Sequence, residues 1–140
     1  MSNPKSLSVV LIDDSKIVIA QLQELIGDID GVEVVGTAND GAGAIRVVRE
    51  SQPHLAIMDI VMPGMDGLSA LRIINANFPD TRVALLSSLA GAASKAEEGF
   101  RLGAIQVISK PFEPDVLEAL FESERVRLDE LGGAERVAWE

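Results

Sequence analysis

Polar side chains that could do chemistry stand at the ends of otherwise apolar segments of the sequence. They comprise carboxylates, hydroxyls and one amine: Asp13, Asp14, Asp59, Ser87, Ser88 and Lys110. Asp59 is the most unusual of them, because it follows the apolar run LAIM, which has the composition of a strand buried on both faces. An ionised carboxylate in such a place is costly unless an opposite charge or a cation pairs with it.

Three of these groups are carboxylates that would repel one another if the fold brought them together. At about 5 Å and an effective dielectric of 20, each pair of Asp13, Asp14 and Asp59 repels by about 3 kcal/mol. Either one of them then takes up a proton or a cation lies among them, and Mg²⁺ suits hard oxygen ligands. A lysine ammonium and a serine hydroxyl bind phosphate oxygens, so Lys110 and Ser87 complete a phosphoryl-transfer site. Asp59 is the candidate nucleophile, and the Asp13–Asp14 pair is the candidate metal site.

The segments that carry these residues alternate between strand-like and helix-like patterns. Strands are predicted over residues 7–12, 32–38, 55–60, 82–88 and 104–109. Helices are predicted from Ser15 onward, over 42–51, 67–78 and about 92–102, and from Pro114 to about Leu131. This alternation predicts an α/β fold, a doubly wound five-stranded parallel sheet with helices on both faces. Because ligands of such folds lie at the carboxyl ends of the strands, the polar residues should meet at one edge of the sheet.

Composition narrows the classes of function. The 140 residues suffice for one domain, and 47% of them are hydrophobic, as in a well-packed globular protein. The net charge of −10 disfavours direct binding to nucleic acid or to an anionic membrane. With no cysteine, disulfides and thiolate metal sites are excluded. The N-terminal residues lack the apolar core of a signal peptide, and we expect a cytoplasmic protein.

The order and spacing of the motifs resemble the receiver domain of two-component response regulators. The similarity runs from about Leu7 to Phe121 and rests on Asp13-Asp14 after the first strand, MDIVMPGMDG around Asp59, LLSS and SKPF. The segments SSLAG and LGAIQVISKP are similar to the receiver of chemotaxis methylesterases. We therefore expect the flavodoxin-like receiver fold over residues 1–122. Residues 123–140 would form the end of the last helix and a short, mobile acidic tail, with no output domain within the 140 residues.

The resemblance implies a signalling role, with only weak self-phosphorylation and self-dephosphorylation rather than enzyme activity. Asp59 would accept a phosphoryl group from a histidine kinase or a histidine phosphotransfer protein. Asp14 and Asp59 would bind Mg²⁺ with the carbonyl of Val61, and Asp13 would act partly through water. Ser87 and Lys110 would contact the phosphoryl group. The signal would pass to a downstream protein through the fourth helix, fifth strand and fifth helix, a face that could also form a homodimer.

Several positions depart from the family pattern or leave a choice. Ser87 fits the strand pattern better than Ser88 as the hydroxyl that contacts phosphate. Val107 replaces the aromatic residue that receivers often carry three positions before the lysine. Val61 and Leu89 would flank the phosphoryl group and are apolar, so we expect slow loss of phosphate.

Other residues have structural or partner-binding interpretations. The lone His54 is expected to be structural, and Asp66 to be a turn or cap residue. Trp139 is expected to be exposed in the tail. Kinase specificity would lie on the first helix around a group of four residues: Lys16, Ile17, Ala20 and Gln21.

Three alternative functions remain open from the sequence. The chain could be the receiver portion of a longer multidomain regulator. It could be a metal-dependent phosphatase that forms an aspartyl phosphate, although such enzymes usually carry a second acid where Val61 stands. It could also be a constitutive adaptor with a relic site, although the set of carboxylates, serine and lysine is complete.

Overall fold

The computed structural model describes residues 6–88 and 92–139, and it confirms the α/β doubly wound architecture. The strands are β1 (Leu7–Ile12), β2 (Val32–Ala38), β3 (Leu55–Asp59), β4 (Arg82–Ser87) and β5 (Gln106–Ser109). The helices are α1 (Lys16–Gly27), α2 (Gly41–Ser51), α3 (Gly67–Asn77), α4 (Ala92–Arg101) and α5 (Pro114–Trp139). Among the described residues, no helix combines the length and apolar composition needed to cross a membrane.

All neighbouring strands pair in parallel, in the order β2-β1-β3-β4-β5. The chain steps from β1 outward to β2 and then back across β1 to β3, so the strand order reverses at the β1–β3 pair. Every residue of β3 is buried, as its continuous apolar run predicts. A doubly wound sheet presents its ligand site at the carboxyl ends of the strands beside such a reversal, which here places Asp13 and Asp59 side by side.

Two apolar layers cover the two faces of the sheet. Alternation along β1 sends Val10 and Ile12 to one face and Val9 and Leu11 to the other. The first face packs against α2 and α3 through buried residues such as Ala44, Val48, Leu71 and Ile74. The second face packs against α1 and α5 through Leu22, Ile26, Leu117 and Phe121. The rigid sheet between these layers fixes the positions of the residues that follow each strand.

Three helices begin at side-chain caps that lie close to the carboxyl edge of the sheet. Ser15 Oγ accepts a hydrogen bond from Val18 N–H, Asp40 Oδ1 from Gly43 N–H at 2.7 Å, and Asp66 Oδ1 from Ser69 N–H at 2.8 Å. Asp66 is therefore a helix cap, one of the two roles predicted for it. These caps fix where each loop that follows a strand turns into its helix.

Helix α4 contacts β4 and β5, and most of its described residues are exposed. Among its described side chains only Gly99 is buried, and a Cβ atom added there would lie 2.7 Å from Leu85 Cδ1. At the end of α4, Asn75 of α3 donates a hydrogen bond to the Leu102 carbonyl at 2.5 Å. Gly103 follows with a φ of 110°, as expected for the C-terminal glycine of a helix. Helix α3, in contrast, buries five residues against the core.

Helix α5 is longer than the sequence analysis predicts. The predicted end at about Leu131 is wrong for the backbone, because the helix continues to Trp139. Gly132 and Gly133 favour a break in the helix, since each glycine costs about 1 kcal/mol within a helix. The residues beyond them, AERVAW, include good helix formers, and two glycines weaken a helix without forbidding it. The side chain of Trp139, which is expected to be exposed, is outside the part of the chain whose side chains are described.

His54 has a structural environment at the opposite edge of the sheet from the carboxylates. Its ring Nδ1 accepts a hydrogen bond from the Ser8 backbone N–H at 2.9 Å. The His54 backbone N–H donates to Ser8 Oγ at 3.1 Å. Burial lowers the pKa of the imidazole below its usual value. The residue thus ties the start of β1 to the start of β3.

Candidate functional site

The carboxyl edge of the sheet brings together four of the side chains selected from the sequence. Asp13 follows β1, Asp59 ends β3, Ser87 ends β4 and Lys110 follows β5. Asp13, Asp59 and Ser87 are only 1%, 6% and 4% exposed, whereas Ser88 and Asp14 are exposed. The expected convergence of polar groups at one edge is therefore what the fold produces.

The three aspartates form a compact acidic cluster at this edge. One carboxylate oxygen from each of Asp13, Asp14 and Asp59 lies within 4.8 Å of the other two. The Asp13 carboxylate is held in place because its Oδ1 accepts a hydrogen bond from Ser15 N–H at 2.8 Å. Its backbone N–H donates to the Ala38 carbonyl at 3.1 Å, which links the cluster to the end of β2. Neither contact has a signal in the sequence, because the donor in each is a backbone N–H.

Lys110 supplies positive charge to this cluster. Its Nζ lies 2.7 Å from Asp13 Oδ2 and 3.2 Å from Asp59 Oδ2. The contact with Asp13 is a close ion pair to a fully buried carboxylate side chain. The backbone N–H of Lys110 donates a hydrogen bond to the Ser87 carbonyl at 2.8 Å, which links the residue to β4. A cis peptide bond joins Lys110 to Pro111.

The electrostatics of the cluster follow from burial and from these close charges. Burial raises the pKa of the Asp59 carboxyl above its usual value, and the neighbouring Asp13 charge raises it further. Lys110 and the Val61 N–H, which lies 3.4 Å from Asp59 Oδ1, oppose this rise without cancelling it. Burial alone would lower the pKa of Lys110, but the contacts with Asp13 and Asp59 hold that pKa above its usual value. A single ammonium therefore does not neutralise the negative charge of the three aspartates.

The donor set of the cluster fits a hard divalent cation. Carboxylate oxygens are the ligands that Mg²⁺ prefers, and Mg²⁺ keeps several waters, which suits a cluster whose Asp14 is exposed. The described residues near the cluster supply neither the imidazole nor the thiolate ligands that softer metals favour. The residues present therefore fit Mg²⁺, with Asp13, Asp14 and Asp59 as the side chains that would hold it.

The remaining predicted site residues differ in how closely the structure associates them with the cluster. Ser87 lies at the end of β4 with its Oγ donating to the Ser88 carbonyl at 3.1 Å. Val61 lies two residues beyond Asp59 and is 63% exposed. Val107 is partly buried on β5 and packs against the core. Leu89 lies outside the described residues. The roles of Ser87 and of the Val61 carbonyl stay predictions.

Comparison with known families gives this site a context. The sequence model of the response regulator receiver domain family matches residues 9–122. The chain is 34% identical over 105 residues to a protein-glutamate methylesterase/protein-glutamine glutaminase of Myxococcus xanthus, covering 75% of this chain and 30% of that protein. It is 38% identical over 125 residues to a group 3 operon homologue from Bradyrhizobium diazoefficiens, covering 88% and 34%. The chain thus spans about a third of the length of these curated relatives.

Solved structures show the same fold. The response regulator domain of CheB from Thermotoga maritima is 34% identical, with a TM-score of 0.74, covering 88% of this chain and 96% of that one. A LuxR-family two-component response regulator from Aurantimonas is 27% identical, with a TM-score of 0.79, covering 94% and 99%. The resemblance to methylesterase receivers noted in the sequence is thereby confirmed. Since the family model matches most of its length, this chain belongs to the response regulator receiver domain family.

Proposed function

We propose that this receiver accepts a phosphoryl group on Asp59 from a phosphohistidine of a histidine kinase or histidine phosphotransfer protein, in the cytoplasm. The observation that carries the proposal is the position of Lys110 Nζ, which contacts the carboxylates of both Asp13 and Asp59. An ammonium placed there is within reach of a phosphoryl group on Asp59, and it can neutralise the charge that the transfer brings in. Family membership supports the same function.

In the proposed reaction an Asp59 carboxylate oxygen attacks phosphorus while the bond from phosphorus to the histidine nitrogen breaks. The electron pair of that bond leaves with the nitrogen, so an acyl phosphate forms and the imidazole returns to the donor protein. Asp13, Asp14, Asp59 and the Val61 carbonyl would hold Mg²⁺, which would supply positive charge to the phosphoryl oxygens. Lys110 then pairs with the phosphoryl group, and the Ser87 hydroxyl donates a hydrogen bond to it.

The surface beside Asp59 supports docking of a kinase through α1. The four residues proposed for kinase specificity, Lys16, Ile17, Ala20 and Gln21, are all exposed, and Ile17 is 71% exposed. Next to them, a groove of about 790 Å³ runs between α1 and the start of α5. Apolar side chains line much of this groove, including Val18, Leu25 and Phe112. Lys110, which contacts Asp13 and Asp59, also lines it. A partner helix placed in this groove would reach the phospho-acceptor.

For the output, we propose that the phosphorylated form binds a downstream protein through α4, β5 and α5. Phe100 on α4 is 52% exposed and offers an apolar contact there. Val107 occupies the usual aromatic switch position, and the chain contains no tyrosine. We therefore propose that the output face changes without the rotation of an aromatic side chain. The methylesterase relatives favour, as a second candidate, control of a methylesterase/glutaminase module that lies beyond the matched third of those proteins.

The test of the proposed function is the intact mass of the protein after incubation with a small phosphodonor and Mg²⁺. A gain of one phosphoryl group is expected for the wild type, and none for Asp59→Asn or with a chelator present. Asp66→Asn is the matched control, because it alters another aspartate of the same loop that caps α3. If no adduct forms with the phosphodonor or with any histidine kinase, and Mg²⁺ does not bind, the relic-adaptor alternative is correct instead.

A further inference from the structure

The segment of residues 38–41, from the end of β2 to the start of α2, contacts both Asp13 and the loop that follows Asp59. At its start, the Ala38 carbonyl accepts the hydrogen bond from the Asp13 backbone N–H at 3.1 Å. At its end, Gly41, the first residue of α2, is buried against Met65. Met65 belongs to the loop of residues 60–66, which follows Asp59. A segment of four residues thus joins the aspartate after β1 to the loop after β3.

The contact between Gly41 and Met65 has no room for a side chain. A Cβ atom added at Gly41 would lie 2.7 Å from both the Cβ and the carbonyl oxygen of Met65, and 2.9 Å from its Cγ. Non-bonded carbon atoms pack at about 3.5–4.0 Å, so the added atom would push Met65 away. Because one of the atoms in the way is a backbone oxygen, a change of side-chain rotamer cannot relieve the overlap.

Backbone conformation does not explain why this residue is glycine. The glycines of positive φ in the described chain are Gly31, Gly64 and Gly103, and Gly41 is not among them. Alanine is a better helix former than glycine by about 1 kcal/mol, so the helix itself would favour alanine at this position. The close approach to Met65 is the remaining physical reason for glycine.

Gly67, the residue that follows this loop, is equally restricted. Gly67 donates its N–H to the Ile60 carbonyl at 2.6 Å, and an added Cβ there would overlap the Asp59 carbonyl oxygen. Val61 lies within this loop, and its side chain is 63% exposed and therefore contributes little packing of its own. The loop that carries the Val61 backbone is held at Ile60 by Gly67 and at Met65 by Gly41.

We infer that Gly41 is a positioning residue for the metal site: through Met65 it sets the place of the Asp59 loop relative to Asp13 and so determines the affinity for Mg²⁺. The inference rests on the proposed function, since it assumes that Mg²⁺ binds among the aspartates. A displaced loop would move the Val61 carbonyl and the Asp59 carboxylate away from Asp13 and Asp14. Metal ligation tolerates such displacement poorly, because Mg²⁺ demands near-ideal octahedral geometry.

The test compares Mg²⁺ binding by Gly41→Ala and Gly27→Ala, using calorimetry and amide NMR shifts. Gly27 ends α1, and no atom lies within 4 Å of an added Cβ there, so it controls for the gain in helix propensity. Gly41→Ala should bind Mg²⁺ about tenfold more weakly than the wild type, the usual cost of disturbing a group that supports metal ligands. Gly27→Ala should stay within about twofold, as surface changes do.

A second readout separates positioning from a general loss of structure. The Mg²⁺ concentration that half-saturates phosphorylation should rise in Gly41→Ala, while the rate at saturating Mg²⁺ is retained. Equal Mg²⁺ affinity for Gly41→Ala and Gly27→Ala overturns the inference. If the wild type binds no Mg²⁺ at all, the proposed function fails instead, which is a distinct result.

A second variant decides the matter if Gly41→Ala does not fold. Met65→Gly removes the Cβ and Cγ atoms against which Gly41 packs and introduces no overlap. The loop then loses its support from α2, and Mg²⁺ affinity should again fall about tenfold. An affinity within about twofold of the wild type for this variant would overturn the inference.

Discussion

The ammonium of Lys110 lies 2.7 Å from Oδ2 of Asp13, a residue that is only 1% exposed. The shorter of its two ion pairs is therefore with Asp13 and not with Asp59, the proposed phospho-acceptor. Its contact with Asp59 is longer, at 3.2 Å. In the absence of phosphate, Lys110 therefore serves mainly as the counter-ion of the most buried acid in the site. Its proposed contact with a phosphoryl group on Asp59 would require only a small shift of the same side chain.

Replacement of Lys110 tests this role. Lys110→Met leaves Asp13 and Asp59 without a cation, so the metal-free protein should lose about 2 kcal/mol of unfolding free energy, less than a fully buried pair because Lys110 is partly exposed. Added Mg²⁺ should stabilise this variant more than it stabilises the wild type, because the competing ammonium is gone. Urea unfolding with and without Mg²⁺ measures both effects.

Lys95→Met is the matched control for that experiment, because Lys95 is an exposed lysine of α4. Its unfolding free energy should change by less than about 0.5 kcal/mol. An equal response to Mg²⁺ in Lys110→Met and in the wild type would show that Lys110 does not compensate the acidic cluster.

The hydroxyl-free loop around Asp59 predicts a long-lived phosphorylated state. Val61 is apolar and exposed, so it cannot orient a water molecule for attack on the phosphoryl group. Val61→Glu places a carboxylate at this position and should accelerate loss of phosphate several-fold. The decay of the intact mass adduct after removal of the phosphodonor measures the rate, with Val35→Glu, another exposed valine far from the site on β2, as the control. A half-life of seconds for the wild-type protein alone contradicts the prediction.

The single histidine makes a clean pH measurement available. Burial lowers the pKa of His54 below its usual value of 6.5 in the folded state, and Nδ1 is engaged as an acceptor from Ser8 N–H. The folded state therefore binds a proton less readily than the unfolded state. The contribution of His54 to stability is complete above pH 6.5 and is lost as the pH falls from that value through the lowered pKa of the folded state.

NMR titration of the imidazole checks this directly, since no other histidine contributes a signal. The midpoint should lie below 6.5. In His54→Gln, the fall of unfolding free energy between neutral pH and about pH 5 should be shallower than in the wild type. A midpoint at or above 6.5 would mean that burial does not hold the ring neutral.

The ion pair between Arg82 and Glu124 should anchor α5 to the start of β4. Arg82 Nε and Nη2 lie 2.6 Å and 3.2 Å from the two carboxylate oxygens of Glu124, which is only 5% exposed. Glu124→Gln leaves the guanidinium without its charged partner and should cost about 2 kcal/mol of unfolding free energy. Glu122→Gln, whose carboxylate is 71% exposed and 3.9 Å from Arg125, should cost less than about 0.5 kcal/mol in the same urea titration.

The convergence of the site could be predicted from sequence because it depends on backbone rules alone. Parallel strands end at one edge, so Asp13, Asp59, Ser87 and Lys110 meet once the five strands are recognised. The strand ends shifted by one or two residues at most: Ile60 and Ser88 lie beyond β3 and β4, and β5 begins at Gln106. Such shifts leave the side chains at the same edge.

The contacts that tune the site could not be predicted, because they are made by atoms without a sequence signal. Gly41 follows Asn39-Asp40 and resembles an ordinary turn residue, whereas its packing against Met65 depends on how closely α2 approaches a loop more than twenty residues away. The preference of Lys110 for Asp13 depends on differences of less than 1 Å between side-chain positions. The extent of α5 could not be predicted either, because two successive glycines are typical of a helix end, whereas here helix formers stand on both sides of them.

The shallow seating of α4 on the sheet has a consequence for the timescale on which the protein opens. A helix that buries only Gly99 among its described side chains gains little from the exclusion of water, whereas α3 buries five residues. Local opening of α4 should therefore cost far less free energy than global unfolding, and its amide protons should exchange with solvent well before those of α3. Helix α4 lies on the proposed output face. A small change in free energy, such as that from one charged group bound at the sheet edge, can therefore shift the populations of its conformations.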